Sequence, residues 1–162
     1  MMNVYELALG SGERGVVLSG SSPTPGPPRQ VPLPTPHSLY LLDLPGYGYA
    51  RASQAEQRAF RLLVTHALAR PRLAGVLWLL DIRRAPSDDD RAMQDQLAEG
   101  GTRVLAAVTK SDKLPRGQRE RRTRELRAAL ALDADQLIVT SALAGEGMPE
   151  LCEAVAGLVA AQ

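Results

Sequence analysis

The sequence has 162 residues, 44% of them apolar and 23% charged, and a formal net charge of +1. That is enough chain for one domain with a real core. The balance excludes a global field that would draw the chain to nucleic acid or to a membrane surface. The single cysteine, Cys152, excludes an intrachain disulfide and suits a reducing cytoplasm. Its neighbours Leu151, Val155 and Leu158 predict a buried thiol on an amphipathic helix. Met1–Gly20 lacks the basic start and apolar run of a signal peptide. The best apolar stretch, Leu73–Ile82, is too short to span a bilayer. Of the 19 basic residues, only Lys110 and Lys113 are lysines.

The chain divides near residue 38. Residues 1–37 read as an irregular Pro/Gly-rich segment, with prolines from Pro23 to Pro28 and again from Pro32 to Pro36. Proline removes amide donors and restricts the residue before it, which favours loop or polyproline-like chain. Within it, Met1–Leu9 reads as a short helix and Gly15–Leu18 as a short strand.

Residues 38–162 are regular and read as one domain. Leu39–Leu42 is a short apolar run. Gln54–Ala69 reads as a helix capped by Ser53, with Pro71 beyond its end. Gly75–Asp81 is continuously apolar, as in a strand buried on both faces. Ser87–Leu97 reads as a helix whose first-turn aspartates suit the macrodipole. Arg103–Thr109 is a strand, Arg116–Leu130 a charged helix, Gln136–Thr140 a strand and Pro149–Ala160 a last helix. Strands alternating with helices predict an α/β, three-layer fold with a mostly parallel sheet. Such sheets bind ligands at the C-terminal ends of their strands.

Three of those strand ends carry unusual polar sequence. The first is Asp43-Leu44-Pro45-Gly46. An aspartate there can hold magnesium, usually through water, and a glycine lets its amide approach a phosphate closely. A plain Pro-Gly turn is the bland reading. The second is Thr109-Lys110-Ser111-Asp112. A carboxylate can accept parallel hydrogen bonds from guanine N1 and N2, which adenine cannot offer, and such a site rejects the wrong base by several kcal/mol, about 3 or more. The lysine stem can lie along the base face with its ammonium in water. The bland reading is a polar turn before a helix. The third is Thr140-Ser141-Ala142, where a backbone amide could meet the guanine oxygen.

The octapeptide Asp43-Leu-Pro-Gly-Tyr-Gly-Tyr-Ala50 resembles the magnesium and switch II motif of EngB-type GTPases. Leu80-Asp-Ile-Arg83, followed by Pro86 and an acidic stretch, is similar to the family's next strand and helix. Thr109–Leu114 resembles its guanine-specificity motif, and Thr140-Ser-Ala142 with Gly145 and Gly147 its last nucleotide motif. The resemblance runs from Ser38 to the C-terminus, in motif order and spacing. It implies a Ras-like GTPase domain that binds GTP or GDP with Mg2+. It also implies a link to assembly of the large ribosomal subunit, through its RNA or protein, and to cell division and septum formation. DNA is not an expected partner. Implied ligands of the nucleotide are Asp43, Leu44, Pro45, Gly46, Thr109, Lys110, Ser111, Asp112, Thr140, Ser141 and Ala142; no catalytic residue is assigned.

The family's P-loop, G-x-x-x-x-G-K-[ST], needs a lysine upstream of Asp43, and this chain has none there. Two alignments of the N-terminal part stand. In one, Ser22-Pro-Thr-Pro-Gly26 is a switch I remnant with Thr24 as a further magnesium ligand, and the P-loop and first strand would precede Met1. In the other, residues 15–20 are an eroded first strand and residues 20–26 an eroded P-loop. Either leaves the fold N-terminally incomplete, with a gap where a central strand belongs. Charged hydrogen bonds contribute roughly 1.5–3 kcal/mol each, and about 4 kcal/mol separates micromolar from millimolar binding. Losing several phosphate contacts therefore predicts weak binding and little or no turnover, since phosphoryl transfer is mostly positioning and charge stabilisation. Tyr47 also stands where Ras proteins carry a water-orienting glutamine. The alternative is a non-catalytic pseudo-GTPase acting as a protein or RNA interaction module.

Other residues carry less. Six arginines between Arg116 and Arg127 could meet ribosomal RNA, but i,i+4 pairs such as Arg121 and Glu125 predict a solvated helix. Asp88-Asp-Asp90 is explained by a helix N-terminus. His37 and His66 are far apart and predict no zinc site; His66 is expected at a helix surface and Trp78 in the core. An Asp43–Lys110 phosphoacceptor arrangement is opposed by the Leu-Pro-Gly-Tyr-Gly-Tyr sequence.

Overall fold

The computed structural model of the chain describes residues 3–8, 38–44, 46 and 53–160. They belong to two compact units, Met1–Phe60 and Arg61–Gln162.

In the first unit, β1 (Asn3–Ala8) pairs antiparallel with β2 (Ser38–Asp43), in register from Asn3 opposite Asp43 to Ala8 opposite Ser38. The helix expected over Met1–Leu9 is thus a strand. Val4 and Tyr5 favour extended chain, and the ladder offered by β2 lies some thirty residues away, outside any local window. Gly15–Leu18, Ser22–Gly26 with Thr24, Pro45 and Tyr47–Ala50 lie outside the described residues. The first unit also contains the start of α1 (Gln54–Leu68). The Ser53 amide donates to Glu56 Oε2 at 2.7 Å and the Glu56 amide to Ser53 Oγ at 3.3 Å. This reciprocal pair satisfies two amides that the first turn would leave open. The bond from the Ser53 amide holds the Glu56 carboxyl below its usual range.

The second unit carries three parallel strands, β3 (Val76–Asp81), β4 (Val104–Thr109) and β5 (Leu137–Val139), in the order β3-β4-β5. Parallel neighbours need crossovers. These are α2 (Asp88–Glu99) between β3 and β4 and α3 (Arg116–Ala129) between β4 and β5; α4 (Met148–Ala160) follows β5. Successive side chains on a strand point to opposite faces. Ala106 and Ala107 on β4 are both fully buried, so β4 is covered on both sides, which is the three-layer arrangement. Trp78, Leu80 and Ile82 are buried at alternate positions, whereas Leu79 between them is 62% exposed. Leu97 on α2, Leu126 on α3, and Val64 and Ala67 on α1 complete the core. Burying a side chain such as Leu97 stabilises by about 1.5–3 kcal/mol.

Ser87 caps α2 through a capping box with Asp90, which gives one of the three first-turn aspartates a structural use. His66 is exposed, as expected. Cys152 is half-buried rather than buried, like Leu151, Val155 and Leu158 around it, since no residue of α4 is fully buried. No helix among the described residues is long and apolar enough to cross a membrane.

Candidate functional site

The three parallel strands deliver their C-terminal ends to one edge. Asp81 stands in register with Thr109. Hydrogen bonds lace the ends together. The Ile82 amide donates to the Thr109 carbonyl at 3.1 Å, and the Thr140 amide to the Val108 carbonyl at 2.7 Å. The Ser111 amide donates to the Thr140 carbonyl at 3.1 Å. Thr109 Oγ1 donates to the Leu80 carbonyl at 3.0 Å, and Thr140 Oγ1 faces the Val108 carbonyl at 3.4 Å. Both threonine hydroxyls therefore serve the sheet.

After β4 the chain reverses sharply. Lys110 has φ 62° and ψ 35°, a left-handed conformation that costs a non-glycine residue roughly 1–2 kcal/mol. A 3-10 turn over Ser111–Lys113 follows. Ser111 is fully buried. Asp112 stands beside it, and its Oδ1 accepts a hydrogen bond from Ser141 Oγ at 2.6 Å. Asp112 Oδ2 lies 3.1 Å from Lys113 Nζ. The Ser141 hydroxyl and the Lys113 ammonium hold the Asp112 carboxyl below its usual range, so it is ionised at neutral pH. Two ionised oxygens offer about four acceptor positions, which leaves capacity for two further N–H donors. Ser141 is itself buried, and its oxygen accepts from the Ala144 amide at 3.1 Å. The neighbouring Ala142 is exposed.

A second acid, not assigned a role by sequence reasoning, holds the lysine. Lys110 Nζ lies 3.0 Å from Asp81 Oδ2. Arg83 donates to the same carboxylate from Nη2 at 2.7 Å and Nε at 2.9 Å, and from its amide at 3.0 Å. The Arg83 bonds first, and Lys110 after them, drive the Asp81 carboxyl far below the aspartate range. The cue was the stretch Leu80-Asp-Ile-Arg83, whose acid and base are spaced to close on each other. A third acid was also missed. Glu146 accepts from Ser111 Oγ at 2.5 Å and from Arg119 Nη1 at 2.9 Å. Its cue was its place between Gly145 and Gly147.

Asp43 ends β2 with an exposed side chain, and Leu44 and Gly46 follow it. These belong to the first unit and are described with it. Among the described residues no group of three His, Cys, Asp or Glu could hold a metal. Magnesium needs less than that. It keeps several waters and takes one or two carboxylates beside phosphate oxygens, and the exposed carboxylate of Asp43 fits such a donor set.

No family model matches the chain. Curated relatives do. It is 44% identical over 141 residues to a probable GTP-binding protein EngB of Gemmatimonas aurantiaca, covering 86% of this chain and 69% of that protein. It is 40% identical over 144 residues to the same-named protein of Syntrophomonas wolfei, covering 88% of this chain and 74% of that protein. With the Bacillus subtilis protein of that name it shares 34% over 123 residues, 75% of this chain and 63% of that protein. A crystal structure of a probable GTP-binding protein EngB superposes with a TM-score of 0.62 at 15% identity, over 76% of this chain and 78% of that one, which shows a shared fold. On these relationships the chain belongs to the EngB family.

Proposed function

We propose that the chain binds guanine nucleotides at the C-terminal ends of β4 and β5. The observation that carries this is the ionised Asp112 carboxylate, fixed by the buried Ser141 hydroxyl and still able to accept two parallel N–H donors. Guanine offers that pair through N1 and N2; adenine does not. Lys110, held at its ammonium by Asp81, supplies an alkyl stem for one face of the base. The exposed loop at Ala142 supplies an amide for the guanine oxygen. The relatives' names, probable GTP-binding proteins, support the same reading.

On the phosphate side the proposal rests on sequence. Asp43 would hold Mg2+, with Leu44, Pro45 and Gly46 bringing a backbone amide to the terminal phosphate and Thr24 as a further magnesium ligand. Bound magnesium would neutralise phosphate charge. The lysines available to the chain, Lys110 and Lys113, both belong to the base-recognition loop. Little or no turnover is therefore expected of these 162 residues, and the second reading is a non-catalytic module for protein or RNA interaction. By family resemblance we place its role in large ribosomal subunit assembly and cell division, in the cytoplasm that its cysteine usage suits. The α3 arginines not engaged by Glu125 or Glu146 are the residues offered for RNA contact.

Calorimetric titration with GDP and GTP plus magnesium, with ATP as control, tests the proposal. Heat from guanine nucleotides alone, lost in Asp112→Asn, is the expected result. A folded chain that binds ATP equally, or binds nothing, would exclude it.

A further inference from the structure

Each base-recognition loop reaches across to the other with a buried serine. Ser141, from the loop after β5, donates to Asp112 of the loop after β4 at 2.6 Å. Ser111, from the loop after β4, donates to Glu146 of the loop after β5 at 2.5 Å. Both serines are fully buried. One backbone bond crosses as well, from the Ser111 amide to the Thr140 carbonyl at 3.1 Å, while within the second loop the Ser141 amide donates to the Glu146 carbonyl at 2.9 Å. Asp112 is the acid that reads the base. Glu146 is the acid that closes the reciprocal bond.

Glu146 is itself held from outside. Arg119 on α3 donates from Nη1 to both of its carboxylate oxygens, at 2.9 and 3.1 Å, and from Nε to the Leu114 carbonyl at 2.9 Å. One guanidinium thus spans the end of the first loop and the acid of the second. Gly145 and Gly147 flank Glu146 with φ of 70° and 69°. At Gly147 a Cβ would collide with the Val139 carbonyl oxygen, so the turn that carries Glu146 tolerates only glycine there. An isolated bridge between Ser141 and Glu146 closes the loop.

We infer that Glu146, held by Arg119, is a positioning residue that sets the Asp112 carboxylate for two-point recognition of the guanine edge through the crossed Ser111 and Ser141 bonds. This rests on the proposed guanine site and deepens it. Glu146 does not touch the nucleotide. Without it the Ser111 hydroxyl loses its acceptor, the turn that carries Asp112 loosens from the turn that carries Ser141, and the carboxylate no longer meets both N–H groups in line. A two-point contact is more sensitive to such a shift than a one-point contact, because both bonds need good geometry at once.

The test compares GDP with inosine diphosphate, whose base keeps N1–H and lacks the 2-amino group. Affinities are measured for the full chain and for Glu146→Ala, Glu146→Gln and Arg119→Ala, with thermal midpoints for all. Leu126→Ala, a core change on α3 two turns beyond Arg119, reports what lost stability alone does. Expected is a fall of about tenfold in the GDP-to-inosine-diphosphate affinity ratio in Glu146→Ala, the size of one good hydrogen bond. Partial recovery is expected in Glu146→Gln, which still accepts from Ser111, and an intermediate loss in Arg119→Ala. The ratio stays unchanged in Leu126→Ala. An unchanged ratio in Glu146→Ala, or an equal fall in Leu126→Ala, overturns the positioning role while the guanine site stands. A wild-type chain that does not prefer GDP to ADP overturns the guanine site and this inference with it.

Discussion

The loops after β4 and β5 and the end of β2 carry motifs of the same family, yet they present their acids differently. In the former, side chains are locked to one another. Ser111 and Ser141 are buried, and Asp112, Glu146 and Asp81 each face a cation within about 3 Å. The end of β2 offers one exposed carboxylate, Asp43, in a two-stranded ladder. Reading a base edge demands fixed directions, so the protein must hold its own acceptors. Binding phosphate through magnesium demands charge, and water and the phosphate supply most of the geometry. Variants in the two regions should therefore fail in different ways.

The largest stability effect is expected at the glycine that turns the chain toward Glu146. Gly147→Ala places a Cβ against the Val139 carbonyl in a left-handed backbone. It should cost about 2–3 kcal/mol, at least the left-handed penalty alone, and chemical denaturation reads it directly. Next, Asp43→Asn should remove the magnesium-dependent gain in GDP affinity and leave GDP-over-ADP preference without magnesium intact; titrations with and without chelator separate the two. Ser141→Ala should cost about 1–2 kcal/mol of stability, because a buried hydroxyl serving two partners is lost. It should weaken GDP more than inosine diphosphate. The smallest effect is expected for Arg121→Ala. Its partner Glu125 is an exposed carboxylate one helical turn away, and such pairs barely move a melting midpoint.

A pH series sharpens the contrast. The Asp112 carboxyl is held below its usual range. A depressed folded value means that its contribution is complete above the ordinary aspartate range and is lost only as pH falls through the lower folded value. GDP preference over inosine diphosphate should stay level from neutral pH down through that ordinary range and fall beneath it. A fall that begins near pH 6 would point to a different group.

Much of this architecture was legible in the sequence, for local reasons. Ser53 announces a helix start because a hydroxyl before an apolar-periodic run can cap its first turn, and the aspartates after Ser87 do so because acids suit a helix N-terminus. Gly75–Asp81 reads as a strand from its continuous apolar run, and it forms β3, but burial on both faces belongs to β4 instead, since Leu79 of β3 is exposed. What was not legible depends on distant partners. Residues 3–8 become a strand only because 38–43 pair with them. Lysine gives no sign that it will adopt a left-handed turn, yet that turn at Lys110 lets its ammonium meet Asp81 and the next amide meet Thr140. Arg119 is one of six arginines on α3, and only the fold singles it out as the one that reaches Glu146. Motifs name the residues that would touch a ligand. The residues that hold them emerge from packing.

The most direct test of a guanine-reading carboxylate is the NMR signal of the Asp112 side-chain carboxyl carbon, followed during titration with GDP and with ADP. The account predicts an ionised carboxylate at neutral pH whose signal shifts with GDP and not with ADP. A signal that ignores both nucleotides, or follows both alike, would contradict it.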